Sequence, residues 1–199
     1  MYRYFQDHTK RIKKSHFHLK NIFSYIVENT ERKIYKYHLI DGKQVHIELK
    51  KEQIPHLMGL HHFSINNLKK LKGFYAVNLI EKEYLNVHDL MSDKTSFEKH
   101  KDRLFHLHSI PKILEEANCL RFDATRVKFG DSLFSNLHEI SLFLKNSDIK
   151  LLVYLGLKNI QKNQNIYFYE AATFVVDRQD KYRNGVTELE IVTREVIEY

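Results

Sequence analysis

The stretch from residue 54 to residue 62 carries more chemically useful side chains than any other short part of the chain. It reads Ile-Pro-His-Leu-Met-Gly-Leu-His-His, with His56 just after Pro55 and just before the turn expected at Gly59. A rigid proline and a glycine turn would fix the His56 imidazole, which could then act as a general acid or base near neutral pH. His61 could move a second proton. The same spacing also fits a helix cap whose histidine bonds a carbonyl, and both interpretations stay open.

A second polar segment covers residues 167–174 and has the composition of a β-strand. Alternation would place Tyr167, Tyr169, Ala171 and Thr173 on one face. The loop after this strand carries further basic and phenolic side chains: Arg178, Lys181, Tyr182 and Arg183. Tyrosine can stack on a base, and a cation can neutralise a phosphate in its transition state. The alternative is a sheet face packed on helices, followed by a basic, solvated hairpin tip.

Histidine is the enriched chemical group, with 13 copies in the chain. Two pairs are spaced by one residue, His16 with His18 and His106 with His108. Both pairs fall in segments predicted as helical, where side chains two residues apart point in different directions. The sequence therefore predicts no metal site and no cofactor.

A single cysteine, Cys119, lies beside Leu120 and Phe122 in an apparent strand. This context is typical of a buried structural thiol rather than a nucleophile. One cysteine excludes an internal disulfide, and a reducing cytoplasm is the expected compartment. The chain has neither a phosphate-binding glycine loop nor a Gly-x-Ser-x-Gly elbow. Its longest clean apolar stretch is too short to span a bilayer, so membrane insertion is not expected.

The charge of the chain is positive and unevenly distributed. Its 199 residues carry a formal net charge of +7, and residues 1–20 alone carry six basic side chains against one acidic one. Lys13 and Lys14 lie at the centre of this basic segment. Such a segment could meet a polyanion such as RNA, or it could be a solvated helix face.

Hydrophobic periodicity predicts an α+β protein of one domain, residues 1–199. A long amphipathic helix is expected over residues 1–30, and a hairpin plus a helical part over residues 31–118. The hairpin strands, 34–40 and 44–49, flank the turn dipeptide at Asp41 and Gly42. An antiparallel sheet is expected over residues 119–199. The predicted strands are 120–123, 126–130, 151–158, 166–177 and 187–196, whereas 133–144 favours a helix.

The order of these features is similar to that of a known nuclease family. The Pro-His-Leu-x-Gly-Leu sequence at residues 55–60 follows a hairpin and precedes a helical region. A late strand carries Ala172, Thr173 and Phe174, and a polar loop and a last strand follow it. From about residue 34 to the C-terminus, the chain resembles the fourth group of phage-associated Barnase–EndoU–Colicin–RelE-like nucleases.

This resemblance implies helices followed by a sheet of about four antiparallel strands, as in Barnase and RelE. It also implies metal-independent cleavage of RNA and a home on a prophage or another mobile element. His56 corresponds to a catalytic or site-organising histidine and Thr173 to the polar strand residue of the site. Family members often have proline where this chain has Ala172. Arg126, Lys128 or Arg178 could be the basic residue of the site.

The function expected on these grounds is a small RNA endonuclease that leaves a 2′,3′-cyclic phosphate. His56 and His61 would move protons, Arg178 or Arg126 would stabilise charge, and Thr173 and Tyr182 would position the phosphate. The residues expected to bind RNA elsewhere are Arg126, Lys128, Lys181, Arg183, Lys13 and Lys14. The expected partners are RNA and a cognate antitoxin or inhibitor, as for a toxin.

Two other functions stay open. The first is a non-catalytic nucleic-acid-binding module that uses the basic N-terminal segment. The second is a phage accessory or antitoxin-like interaction protein.

Overall fold

The computed structural model describes residues 5–65, 68, 70–127, 137–146 and 152–199. The chain divides into two compact units, and each unit is built from two separate stretches. Unit 1 consists of Met1–Glu31 and Lys50–Pro111, and unit 2 consists of Arg32–Leu49 and Lys112–Tyr199. The hairpin therefore groups with the C-terminal strands. A single domain over residues 1–199 stays a prediction.

Unit 1 is helical. Its helices are α1 (Leu19–Thr30), α2 (Ile54–Leu57), α3 (Gly73–Glu81), α4 (Val87–Ser92) and α5 (Lys94–His106), while α6 (Ile110–Glu116) continues into unit 2. The N-cap of α5 is Asp93, whose carboxylate accepts a hydrogen bond from the Ser96 backbone N–H at 3.1 Å. The buried face of α5 includes Phe97, His100 and Leu104. This helix therefore carries a histidine between apolar residues on its buried face.

The first helix is much shorter than the predicted one. It begins only at Leu19, and before it a single 3-10 turn spans Lys14–His16. The Asp7 carboxylate accepts hydrogen bonds from the Thr9 backbone N–H and hydroxyl, which favours a turn over a helix. The Ile12 N–H donates to the Phe105 carbonyl at 3.1 Å, so this backbone bonds outside its own segment. These contacts explain why the apolar spacing over residues 3–29 does not give one helix.

Unit 2 contains an eight-stranded mixed sheet. Its strands are β1 (Lys33–Leu39), β2 (Gln44–Glu48), β3 (Asn118–Phe122), β4 (Leu142–Lys145), β5 (Leu152–Asn163), β6 (Ile166–Asp177), β7 (Val186–Leu189) and β8 (Ile191–Glu198). The order across the sheet is β7-β3-β4-β5-β6-β2-β1-β8. Among the strands that the structure describes, only the pairing of β2 with β6 is parallel.

The expected α+β class is correct, but the expected sheet of about four antiparallel strands is wrong. The hairpin at Asp41 and Gly42 forms as predicted. It is part of the large sheet, because β2 pairs with β6 and β1 pairs with β8. Of the helix predicted over 133–144, residues 133–136 lie outside the described residues, and the last three residues belong to β4. The single strand expected over 187–196 is two strands, and these lie at opposite edges of the sheet.

The two edge strands are separated along the chain only by Glu190. The sheet therefore curls until its edges approach each other. The Glu190 carbonyl accepts a hydrogen bond from the Ile40 N–H at 3.0 Å, which ties this crossing to the end of β1. The curl gives the sheet one concave face.

Candidate active site

The histidine-rich segment predicted from sequence forms two short helical turns in unit 1. Pro55 lies in the first turn of α2, where a proline needs no amide donor. The chain then passes through Gly59, whose φ of +77° is in the left-handed region, into a 3-10 turn over Leu60–His62. This arrangement places His56 on one turn and His61 on the next.

Four imidazoles stack in this part of unit 1, and we call them the histidine cluster: His56, His61, His62 and His100. The rings of His56 and His61 are 4.3 Å apart and 8° from parallel. The rings of His61 and His62 are 3.9 Å apart and tilted by 42°. His62 and His100 are 4.5 Å apart and 6° from parallel. The described residues contain no group of three or more potential ligands arranged to hold a metal ion.

Helix α5 contributes His100 to this cluster and Arg103 beside it. A Cβ at Gly59 would lie 3.2 Å from Arg103 Nη1 and 3.4 Å from His100 Nδ1. The two α5 residues are three positions apart and therefore share one helix face. Gly59 is thus needed both for its backbone conformation and for this close approach.

Sequence reasoning missed both α5 residues. A histidine among buried apolar positions of α5, followed by an arginine three residues later, was the available signal. His100 is only 8% exposed, which is uncommon for a residue with two polar nitrogens. The cluster therefore combines two segments that are about forty residues apart along the chain.

The electrostatics of the cluster keep its inner rings uncharged at neutral pH. Burial, together with the neighbouring imidazoles and Arg103, lowers the pKa of His61 to about 3. Burial and Arg103 likewise lower the pKa of His100 to about 4, and burial also lowers the pKa of His62. An anion bound here would oppose these effects and raise the pKa values, so anion binding and proton uptake are coupled.

Thr173, the strand residue of the predicted site, lies in unit 2 on β6. Gly156 pairs with Thr173, whereas the next β5 residue, Leu157, pairs with Ala171, so Ala172 is an extra residue. A one-residue bulge exchanges the two faces of a strand. The expectation that Thr173 shares a face with Tyr169 is therefore wrong. The Thr173 methyl group packs over Gly156, where a Cβ would lie 2.5 Å from it.

The basic loop predicted to contact the phosphate also lies in unit 2. Arg178, Lys181 and Arg183 are exposed, and Arg183 forms an ion pair with Asp180 at 3.8 Å. Arg126 is exposed on a neighbouring 3-10 turn. The Asp123 N–H donates to the Gly185 carbonyl at 2.8 Å and holds the two turns together. This hydrogen bond places the turn that carries Arg183 beside the turn that carries Arg126.

Tyr182 differs from its neighbours because its ring is in the core. It is 2% exposed, and its centroid is 5.6 Å from that of Phe143 and 5.8 Å from that of Tyr154. Its backbone N–H donates to the Asp177 carboxylate at 3.2 Å. These contacts give Tyr182 a packing role, and its role in positioning a phosphate stays a prediction.

Three other residues are predicted from the sequence to bind RNA: Lys13, Lys14 and Lys128. Lys13 and Lys14 are exposed near the start of unit 1. Lys128 lies outside the described residues, together with most of the strand predicted over residues 126–130. The roles of all three stay predictions.

Comparison with known protein families gives a match over most of the chain. The family model described as phage-Barnase-EndoU-ColicinE5/D-RelE like nuclease 4, PBECR4, covers residues 13–198. The chain belongs to the PBECR4 family. The resemblance based on the sequence at residues 55–60 is therefore confirmed. No curated protein and no solved structure matches the chain.

Membership of PBECR4 makes this chain a nuclease of the Barnase, EndoU, colicin and RelE type. Its substrate is accordingly a nucleic acid, and the family name links it to phage. The matched region includes both the histidine cluster of this PBECR4 protein and all eight strands of its sheet. Within the described part of the chain, none of the helices has the length and apolar composition needed to cross a bilayer.

Proposed function

We propose that this PBECR4 protein is a metal-independent endoribonuclease that leaves a 2′,3′-cyclic phosphate. One observation supports the proposal above the others: the His56 and His61 rings stack 4.3 Å apart in the cluster that Arg103 joins. Imidazoles that exchange protons and a guanidinium that carries permanent positive charge are the groups such a reaction uses. The family supplies the nuclease activity, and the cluster supplies the chemistry.

In the proposed reaction, the 2′-hydroxyl of the RNA attacks the adjacent phosphorus. A neutral imidazole accepts the 2′-hydroxyl proton as the P–O2′ bond forms. The P–O5′ bond breaks, and an imidazolium gives the leaving 5′-oxygen its proton. The products are a 2′,3′-cyclic phosphate and a 5′-hydroxyl, and the two imidazoles finish with their protonation states exchanged.

We assign the proton acceptor to His61 and the proton donor to His56. His61 is uncharged at neutral pH because burial lowers its pKa to about 3, and an uncharged ring can accept a proton. His56 is exposed and can reach a leaving group at the surface. A bound phosphate raises the pKa of His61 towards the range in which a general base is effective.

Arg103 is the cation that we assign to the phosphoryl oxygens. A guanidinium stays charged at every pH at which a protein is folded, and it can bind two phosphate oxygens at once. Its position beside Gly59 fixes it relative to His100. The contacts of Thr173, Arg178 and Arg126 with RNA stay predictions from the sequence.

The proposal is tested with an RNA oligonucleotide, labelled at its 5′ end, in buffer that contains EDTA. We expect cleavage of the all-ribose strand and none of a strand of the same sequence with 2′-O-methyl groups, because the nucleophile is then blocked. Equal cleavage of both strands would overturn the mechanism. Binding without cleavage, weakening steeply with salt, would instead favour a binding module that uses Lys13 and Lys14.

A further inference from the structure

A cavity of about 300 Å³ opens on the concave face of the sheet in unit 2. Its walls include apolar side chains from two parts of the sheet that are distant in strand order. Leu39 of β1 and Val45 of β2 come from one part, and Leu142 of β4 comes from the other. The curl of the sheet brings these strands around a common space. The volume is at the lower end of the range for small-molecule sites, and it suits one small ligand.

The polar groups of the cavity are a pair of tyrosines, a serine and a set of charges. Tyr167 and Tyr169 line it from β6, and Arg121 lines it from β3. Burial raises the pKa of Tyr169, while the nearby Ser141 hydroxyl and Arg121 guanidinium lower it in part. These three groups are therefore close neighbours. Ser141 Oγ is buried next to the Tyr169 hydroxyl.

Among the charged side chains that line the cavity, the positive groups outnumber the negative ones by one. Lys43 forms an ion pair with Asp41 and lowers the pKa of that carboxyl through its hydrogen bonds, and the Arg121 guanidinium lowers it further. Two cations therefore share one acid. An apolar ligand would desolvate the surplus positive charge without pairing it, at a cost in free energy. The lining instead suits a ligand with a flat aromatic part, a hydrogen-bonding edge and a negative charge.

We propose that this cavity binds one nucleotide of the RNA substrate. The base lies against Tyr167 and Tyr169, its edge bonds Ser141, and its phosphate lies at Arg121. Base stacking on aromatic side chains and phosphate binding by arginine are the usual means by which single-stranded RNA is held. The inference rests on the proposed function for its choice of ligand, since it takes the substrate to be RNA.

The test uses the full chain and isothermal titration calorimetry with the four 3′-mononucleotides, their nucleosides and inorganic phosphate. We expect at least one 3′-nucleotide to bind at least tenfold more tightly than its nucleoside and than phosphate. Arg121→Gln should weaken that binding tenfold or more. Ser141→Ala should weaken it less and should change the preference among the four bases.

Lys36→Gln is the matched control, because it removes the same charge from the other face of the same sheet. Lys36 pairs with His46, the neighbour of the cavity residue Val45, and so it faces away from the cavity. Its binding should equal that of the wild type. Arg121→Lys keeps the charge and serves if Arg121→Gln fails to fold, and its loss of affinity should be smaller.

Binding and cleavage are measured separately, so the two proposals can fail separately. If no 3′-nucleotide binds more tightly than phosphate, or if Arg121→Gln and Lys36→Gln bind alike, the cavity assignment is wrong even if RNA is cut. If nucleotides bind as expected and RNA is not cut, the cavity assignment stands and the catalytic proposal fails.

Discussion

The Arg103 guanidinium lies beside Gly59 in unit 1, in the space that a Cβ there would need. A Cβ at Gly59 would lie 3.2 Å from the Arg103 guanidinium, and the Gly59 backbone has a φ of +77°. The glycine therefore serves two purposes. It lets the chain turn between His56 and His61, and it lets α5 bring Arg103 close to both turns.

Gly59→Ala should reduce both stability and cleavage. An L-residue in the left-handed region costs about 1–2 kcal/mol, and the new methyl group would also push Arg103 away. We expect a loss of about 2 kcal/mol in the free energy of unfolding, measured by urea denaturation, and a marked loss of cleavage rate.

Gly42→Ala is the matched control for this variant. Gly42 has a φ of +78°, almost the same as that of Gly59, but nothing lies within 4 Å of a Cβ built there. It should lose about 1 kcal/mol from backbone strain alone and keep its cleavage rate. Equal effects of the two variants on cleavage would show that the contact with Arg103 has no catalytic importance.

His56→Ala should lower the rate of RNA cleavage by about 100-fold or more, because general acid catalysis contributes that much. Stability should change little, since the ring is exposed. His88→Ala removes an exposed histidine from α4 of the same unit and should cut RNA at the wild-type rate. Single-turnover cleavage of a labelled strand measures both. A His56→Ala enzyme that cuts at the normal rate would remove this residue from the mechanism.

Buried histidines should make the protein less stable in mild acid. Burial lowers the pKa of both His100 and His108 to about 4, whereas an unfolded histidine titrates near 6.5. Between these values the unfolded chain binds more protons, so stability falls as the pH drops from about 6.5 to about 4. Urea midpoints measured at intervals from pH 7.5 to pH 4 should show this decline.

A variant identifies the source of this decline. His108 is fully buried. The substitution His108→Leu replaces this titrating group with an apolar side chain of similar size. Its midpoint should depend less on pH than that of the wild type over the same interval. A wild-type midpoint that rises towards pH 4 would contradict the assignment, as would an unchanged slope in the variant.

Two substitutions of Thr173 distinguish the packing of its methyl group from the chemistry of its hydroxyl group. Its methyl group packs over Gly156, and its hydroxyl is the group predicted from sequence to contact the phosphate. Thr173→Val keeps the methyl group and should lose cleavage, whereas Thr173→Ser keeps the hydroxyl and should cut RNA at close to the normal rate. The opposite ranking in a cleavage assay would make Thr173 a packing residue.

Local features were predicted well from the sequence. The turn at Asp41 and Gly42 and the hairpin around it are found, because turn chemistry acts over four residues. The turn at Gly59 is found as well, for the same reason. Both depend on residues that are adjacent along the chain.

Long-range pairing could not be predicted in the same way. Nothing in residues 187–196 indicates that the segment splits at Glu190 into strands at opposite edges, since that depends on partners far away in sequence. The bulge at Ala172 likewise depends on the register with β5, and it moves Thr173 to the other face. For the candidate site, the sequence predicts His56 and His61, whose roles stay predictions, whereas the proximity of His100 and Arg103 depends on how α5 packs.

The chemical nature of the new RNA ends shows most directly whether the 2′-hydroxyl is the nucleophile. RNA would be cut in EDTA and the fragments analysed by mass spectrometry. We expect a 2′,3′-cyclic phosphate on the upstream fragment and a 5′-hydroxyl on the downstream one, with neither end formed by the double variant His56→Ala, His61→Ala. Fragments that carry a 3′-hydroxyl and a 5′-phosphate would contradict it, because water rather than the 2′-hydroxyl would then be the nucleophile.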